Sequence, residues 1–260
     1  MPADRPDRVE KAIASAAHAV IVDLEDGVAP GAKAEARSNL AGLLSERHGK
    51  PVYVRVNAGD AADLEAVATL AISGVVVPKV AWPGDVPATP HPVRCLIESA
   101  AGLEAAYTIA CAHGVAGISL GEADLRSETG ALEAGLDWAR GRIVNAAVAA
   151  GLPRPPQSVY PHLRDEEGLA QSCRRGRELG HLGRAAIHPV QLRMIEQAYL
   201  PTAEEVESAR ETAARLQEAG AGTLGGGEFV DAAMLGAARQ TLALADTYGI
   251  SHRPPQGRNT

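Results

Sequence analysis

The chain has 260 residues, of which 46% are hydrophobic and 22% charged, ordinary globular usage that excludes wholesale disorder. Its net charge of −7, from 25 Lys+Arg against 32 Asp+Glu, argues against a nucleic-acid binder, which would carry a basic stripe. There is no apolar run long enough to span a bilayer and no basic-then-apolar leader after Met1, so a cytoplasmic protein is expected.

Taken in chain order, short Val- and Ile-rich runs alternate with longer amphipathic stretches. Pro6–Ala17 opens with a proline and reads as a helix; Ala19–Asp23 follows as the first strand. Helices are expected over Ala32–Arg47, Ala61–Ser73, Ala100–His113, Ala131–Ala150, Glu166–Leu179, Val190–Ala198 and Thr202–Ala219. The strands between them are Val52–Asn57, Val75–Val80, Val93–Glu98, Val115–Leu120, Gln157–Tyr160 and Arg184–His188. They lack clean alternation, as expected of a parallel sheet covered on both faces. Gly151, Gly180 and Gly220 sit just past helix ends, where a left-handed residue is wanted.

Strand–helix alternation of this kind predicts a (β/α)8 TIM barrel one strand short, the shortage lying ahead of the first helix. An open doubly wound sheet is the alternative, without a glycine-rich nucleotide fingerprint to support it. A barrel domain is expected over 1–219. A flexible linker (Gly220–Gly227), a helix over Ala232–Tyr248 and a tail should occupy 220–260. Cys95, Cys111 and Cys173 show no metal or disulfide spacing and read as small core residues.

In such barrels the chemistry gathers where strands end. Asp23, Glu25 and Asp26 follow strand one, Arg55 and Asn57 end strand two, and Lys79 ends strand three. Glu98 ends strand four, Asp124 follows strand five, and Tyr160, His162 and His188 end the last two. Glu98 and Asp124 end adjacent strands, and two such acids repel unless a cation lies between them. An oxygen-only pair suits Mg2+, which takes one or two carboxylates and fills its remaining positions with water and substrate oxygens. The alternative is that each serves a helix start. Arg55, among apolar neighbours, needs an anion: a substrate carboxylate, or an internal partner in Asp23 or Glu25. Asp23, Glu25 and Asp26 are either an outer shell to the metal or a solvated loop. Lys79 is a candidate for a Schiff base or, more ordinarily, an ion pair. His188, before Pro189, reads as a helix-start residue.

These segments resemble the HpcH/HpaI aldolase and citrate lyase β-subunit family. The matching pieces are VIVDLEDGVAP (20–30), VYVRVNA (52–58), VVVPKV (75–80), LIESAAGLEAA (96–106), GISLGEADL (117–125), SVYPHLRDEEGL (158–169) and AAIHPVQL (185–192). The resemblance implies a barrel that binds Mg2+ through Glu98 and Asp124. It also implies cleavage or formation of a carbon–carbon bond between an acyl-CoA and a keto acid, in a homo-oligomer, a trimer by family analogy. It implies substrate binding by Arg5, Arg55 and Glu98, and catalysis by Arg55 together with Asp231, which would enter a neighbouring subunit's site.

Three departures stand out. The family's G-A-E-D-L is Gly121-Glu122-Ala123-Asp124-Leu125 here, His162 replaces an acid, and Met1 stands where most of an apolar first strand is expected. Competing readings are a CoA-independent, metal-dependent pyruvate aldolase, a thioesterase, and a non-catalytic subunit of a larger lyase complex.

Overall fold

The protein was analysed as a computed structural model, which describes residues 1–219, 222–223 and 229–250. It divides into two compact units, Met1–Ala198 and Tyr199 onwards. The division falls before the last long helix of the expected barrel domain.

The first unit is a parallel α/β fold of the barrel type. Strands β1 (Val20–Asp23), β2 (Val52–Arg55), β3 (Gly74–Val77), β4 (Val93–Ile97) and β5 (Val115–Leu120) pair side by side in chain order. All four ladders are parallel. The helices of this unit are α1 (Pro6–Ala14), α2 (Lys33–Leu44), α3 (Ala61–Val67), α4 (Ala100–Glu104), α5 (Ala106–Ala110), α6 (Glu122–Thr129), α7 (Leu136–Ala149), α8 (Glu166–Glu178) and α9 (Leu192–Tyr199), the last running into the second unit. One core joins the strands to the helices around them, with Val22, Val54, Val75, Leu40, Ile109 and Ile143 fully buried. Each such side chain contributes roughly 1.5–3 kcal/mol by leaving water. Only β3 is buried along its whole length; β2 and β4 alternate buried with half-buried residues, contrary to the continuous burial expected.

The expected missing strand is present as a stub. Pro2 forms a parallel bridge to Asp23: the Asp23 amide donates to Met1 O at 2.8 Å, and the Ala3 amide donates to Asp23 O at 2.9 Å. The Met1 ammonium donates to Ile21 O at 2.5 Å. The edge of β1 is therefore covered, which blunts the edge-pairing hazard of a strand left open. At the other end of the sheet, the expected sixth and seventh strands shrink to one bridge between Gln157 and Arg184. The sixth segment reaches β5 through a side chain: Ser158 Oγ donates to Leu120 O and accepts from the Glu122 amide at 3.3 Å. Residues from Arg184 to Ile187 are half-buried or exposed, so little apolar packing holds a long strand there.

Helix α6 was not anticipated. Leu125 is its one buried residue, so it carries no apolar periodicity. The expected helix over Ala100–His113 breaks into α4 and α5 at Ala105. Gly151 and Gly180 take the left-handed conformation expected, with φ of 74° and 93°. Among the cysteines, Cys95 and Cys173 are buried as expected, but Cys111 is exposed.

The second unit pairs α10 (Ala203–Ala219) with α11 (Leu235–Thr247). Val206, Ala209, Ala238 and Ala245 are buried in it. The apolar side of the last helix thus packs against α10. Within the expected linker, Gly222–Thr223 forms β6, antiparallel to β7 (Phe229–Val230). The rest of that linker, with Gly220, and the tail 251–260 lie outside the described residues. Among the described residues no helix is long and apolar enough to cross a membrane.

Candidate active site at the strand ends

Every strand from β1 to β5 ends at the same edge of the parallel sheet, and the polar residues just beyond form one charged network. At its base is Asp23, the last residue of β1 and nearly fully buried. Its Oδ1 accepts from Arg55 Nε at 2.7 Å and its Oδ2 from Arg55 Nη2 at 2.6 Å, a bidentate pair. The amides of Glu25 and Gly27 donate to the same two oxygens at 2.9 and 3.0 Å. Burial pushes the Asp23 carboxyl up, but the Arg55 hydrogen bonds and charge and the two amides outweigh it and hold the group below its ordinary value. Gly27 is required for this turn, since a methyl there would lie 2.5 Å from Asp23 Oδ2.

Arg55 also reaches Glu25: Nη1 lies 2.9 Å from Glu25 Oε2. The internal ion pair therefore holds with both acids. These contacts use three of the five guanidinium N–H groups. The side chain remains 23% exposed, so the fork is fixed on one side and open on the other. Burial lowers its pKa, and the charges of Asp23, Glu25 and Asp26 more than reverse that.

Glu25 is buried, and its Oε1 lies 2.8 Å from Lys79 Nζ. Asp26 is exposed and 3.9 Å from the same nitrogen. The loop after β1 thus splits into two anchored acids and one solvated acid. Lys79 has its pKa raised, chiefly by Glu25, and stays an ammonium, so it has no free amine for a Schiff base. Its backbone is unusual: at φ 59° it is the one non-glycine residue in left-handed conformation among the described residues. Such a conformation costs about 1–2 kcal/mol for a residue bearing a Cβ.

The Lys79 amide donates to Glu98 Oε2 at 3.0 Å. Glu98, just past β4, is 8% exposed and lies over Gly121, where a methyl would sit 2.5 Å from its Cγ. Burial raises its pKa to about 7; repulsion from Asp124 and Glu25 adds to the rise, and the Lys79 amide and Arg55 oppose it. Asp124 stands exposed in the first turn of α6. Glu98 does not cap a helix, for Ser99 is the N-cap of α4 and accepts from the Gly102 amide at 3.1 Å.

Among the described residues no group of three or more His, Cys, Asp or Glu side chains is disposed to hold a metal ion. The oxygen pair Glu98 and Asp124 fits a hard divalent cation that completes its shell with water and substrate. A buried carboxylate whose charge is disfavoured by burial and a second acid is the donor such a cation would relieve.

Several supporting residues escaped the sequence reading. Lys33 Nζ donates to Leu24 O, Glu25 O and Asn57 Oδ1 at 2.6, 2.7 and 2.9 Å, pinning the loop after β1. Asn57 Nδ2 donates to buried Asp63 at 2.6 Å, which in turn accepts from Arg37 at 2.9 Å. Arg140 on α7 is buried and grips Glu122 through Nε and Nη2 at 3.0 and 2.6 Å. That contact gives the displaced glutamate of the Gly121–Leu125 motif a structural partner.

The other candidates have local partners of their own. Arg5 is exposed at the start of α1, 3.6 Å from Asp7. His188 Nδ1 accepts from the Val190 amide at 3.1 Å, the helix-start role expected. Tyr160 donates to Asp165 at 2.5 Å, with His162 edge-on to its ring. Asp231, in the second unit, accepts from the Ala233 amide at 2.9 Å ahead of a 3-10 turn, a capping contact.

The HpcH/HpaI aldolase/citrate lyase family profile matches residues 1–89 and 87–189. A (3S)-malyl-CoA thioesterase of Cereibacter sphaeroides (strain KD131) is 35% identical over 95% of this chain and 93% of its own. An L-malyl-CoA/beta-methylmalyl-CoA lyase of the same species (strain ATCC 17025) is 30% identical over 90% and 89%. Among solved structures, protein CitE from Mycobacterium tuberculosis in complex with magnesium, acetoacetate and coenzyme A superposes with a TM-score of 0.83. It is 35% identical and covers 95% of this chain and 96% of that one. With that sequence coverage and that fold, the chain belongs to the HpcH/HpaI aldolase/citrate lyase family.

Proposed function

We propose that the protein is a magnesium-dependent carbon–carbon lyase of the citrate lyase β-subunit-like type. It cleaves or forms a β-hydroxyacyl-CoA, of malyl, citramalyl or citryl type, with an acyl-CoA and a keto acid as the other side of the reaction. The observation that carries this reading is the Glu98–Asp124 acid pair, set beside an arginine fork that is anchored on one side only. Glu98 and Asp124 would hold Mg2+, which when bound supplies Lewis-acid polarisation of substrate oxygens.

The chain's own groups do the rest. Arg55 offers its open N–H donors to the substrate carboxylate or to the oxygen that gains charge, with no reorganisation because Asp23 and Glu25 already fix the fork. Arg5 is a further carboxylate- or phosphate-binding group. In the cleavage direction the β-hydroxyl passes its proton to water, its oxygen becomes the keto-acid carbonyl as the Cα–Cβ bond breaks, and the electron pair of that bond passes into the thioester as an enolate. A carboxylic acid then returns a proton to that carbon, and Asp231 is assigned this role, acting in a neighbouring subunit of a homotrimer. Asn caps a helix as well as Asp does but cannot donate this proton. Asp231→Asn should therefore leave the melting temperature unchanged and lower turnover by ~100-fold or more. Equal turnover would remove Asp231 from catalysis. Recovered activity on mixing Asp231→Asn with Arg55→Ala protein, under subunit exchange, would support action in trans.

A second reading, hydrolysis of the thioester, is favoured by the name of the 35% identical relative. The two separate by product. Purified protein given malyl-CoA and Mg2+ releases a keto acid and acyl-CoA if it is a lyase, or free CoA thiol and a hydroxy diacid if it is a thioesterase. Glu98→Ala and Asp124→Ala should each abolish the Mg2+-dependent activity while leaving the protein folded. Wild-type turnover at low Mg2+ in either variant would overturn the ligand assignment.

A further inference from the structure

We infer that Lys79 is a positioning residue for Glu98, and that its left-handed backbone is the device. The observation is an interruption in the ladder between β3 and β4. Val77 pairs with Cys95, and pairing resumes where the Val80 amide donates to Leu96 O at 3.2 Å, so Pro78 and Lys79 together stand opposite Leu96, one residue more on the β3 side. A bulge of this kind re-aims whatever it carries. Pro78 has no amide to offer, and Lys79, at φ 59°, turns its own amide onto Glu98 Oε2. Gly121 lies against the Glu98 side chain, and a methyl there would sit 2.6 Å from Glu98 Oε1. Glu98 is thus held between one donor and one bare backbone, with a hydrogen bond on Oε2.

Glycine would take this conformation without strain. A lysine stands there because the same residue spans two strand ends. Its ammonium reaches Glu25 Oε1 at 2.8 Å, so the loop after β1 and the acid after β4 are tied through one residue. The inference deepens the proposed reading, in which Glu98 is a metal carboxylate, but the positioning itself does not depend on a metal.

The test compares neutral replacements, all of which lose the ammonium, ranked by their tolerance of positive φ. Lys79→Asn and Lys79→Gly should keep the carboxylate in place; Lys79→Val should withdraw the amide, with Lys79→Ala between them. Titrated with MgCl2 by calorimetry, the Val protein should bind at least ~10-fold more weakly than the Asn protein, as loss of an outer-shell contact does. A folded Val protein with the Asn protein's affinity would overturn the inference. If Val prevents folding, Ala takes its place against Asn and Gly. If the wild type itself binds no Mg2+, the metal reading fails. Crystal structures of the same metal-free variants then decide the positioning. Glu98 Oε2 beyond hydrogen-bond reach of residue 79 in Ala or Val, but within reach in Asn, upholds it; an unchanged contact in all overturns it.

Discussion

Two arginines, one buried and one half-buried, are each surrounded by carboxylates and serve different ends in this molecule. Arg140 on α7 meets Glu122, Glu133 and Asp137 and is 3% exposed; Arg55 at the end of β2 meets Asp23 and Glu25 and is 23% exposed. Arg140 uses Nε, Nη1 and both hydrogens of Nη2 on protein oxygens, so almost nothing is left for a ligand. It acts as a clasp that ties the start of α6 to α7. Arg55 spends its inner edge on anchoring and turns its outer edge to the strand-end opening. An arginine so surrounded is therefore informative about recognition only through the donors it has left over.

The sharpest way to break the comparison is to remove the clasp. Arg140→Met leaves Glu122 and Asp137 without their shared cation in a poorly hydrated place. Breaking a buried pair from one side costs about 3–5 kcal/mol. The loss should appear as a shifted urea midpoint with an unchanged slope. A change below about 1 kcal/mol would mean that water or Arg175, 2.8 Å from Asp137, takes over the charge.

Arg55→Lys tests the other side of the contrast. A lysine ammonium is a point charge without a fork, and it cannot bridge Asp23 and Glu25 while presenting aligned donors outward. kcat/KM for the thioester should fall by ~100-fold or more, about what one lost transition-state donor costs. Stability should move less than in Arg140→Met, because Asp23 keeps the Glu25 and Gly27 amides. Equal turnover with reduced stability would make Arg55 a second clasp.

Much of this contrast was open to sequence reading, and part was not. Arg55, Glu98 and the Asp23–Asp26 loop stand out because apolar strands end on them, and strand ends of a parallel barrel share one face. Arg140 had a signal that went unread: it occupies the apolar stripe of α7 with Leu136, Ala139, Ile143 and Ala147. A charge in a buried stripe demands partners, and the acids at 133 and 137 are the nearest in sequence. Helix α6 was hidden because it buries one residue, although the acids at its start and Gly130, with φ 70°, at its end are a helix's punctuation. The first strand's stub and the single bridge at Gln157 are hydrogen-bond facts without an apolar pattern. Lys79 is a harder case, since no side-chain pattern reports a positive φ at lysine.

The smallest expected effect concerns the charge that neither arginine neutralises fully, that of Glu98. Its carboxyl is pushed up to about 7 against an ordinary 4.5, chiefly by burial. Between those two values the folded protein binds more protons than the unfolded chain, so stability falls as pH rises through the window and stays reduced above it. Glu98→Gln removes the ionisation while its amide oxygen still accepts from the Lys79 amide. At pH 8 without metal the variant should be more stable than wild type by about 1–3 kcal/mol. The advantage should shrink towards pH 5, where wild-type Glu98 is largely protonated when folded. Saturating MgCl2 should erase it from the other side, since binding stabilises only the protein that retains the charged ligand. Urea titrations at the two pH values, with and without Mg2+, read all three statements. An advantage that is the same at both pH values would assign the stabilisation to packing rather than to charge. Arg55 would then neutralise Glu98 more fully than the long-range attraction across this site allows.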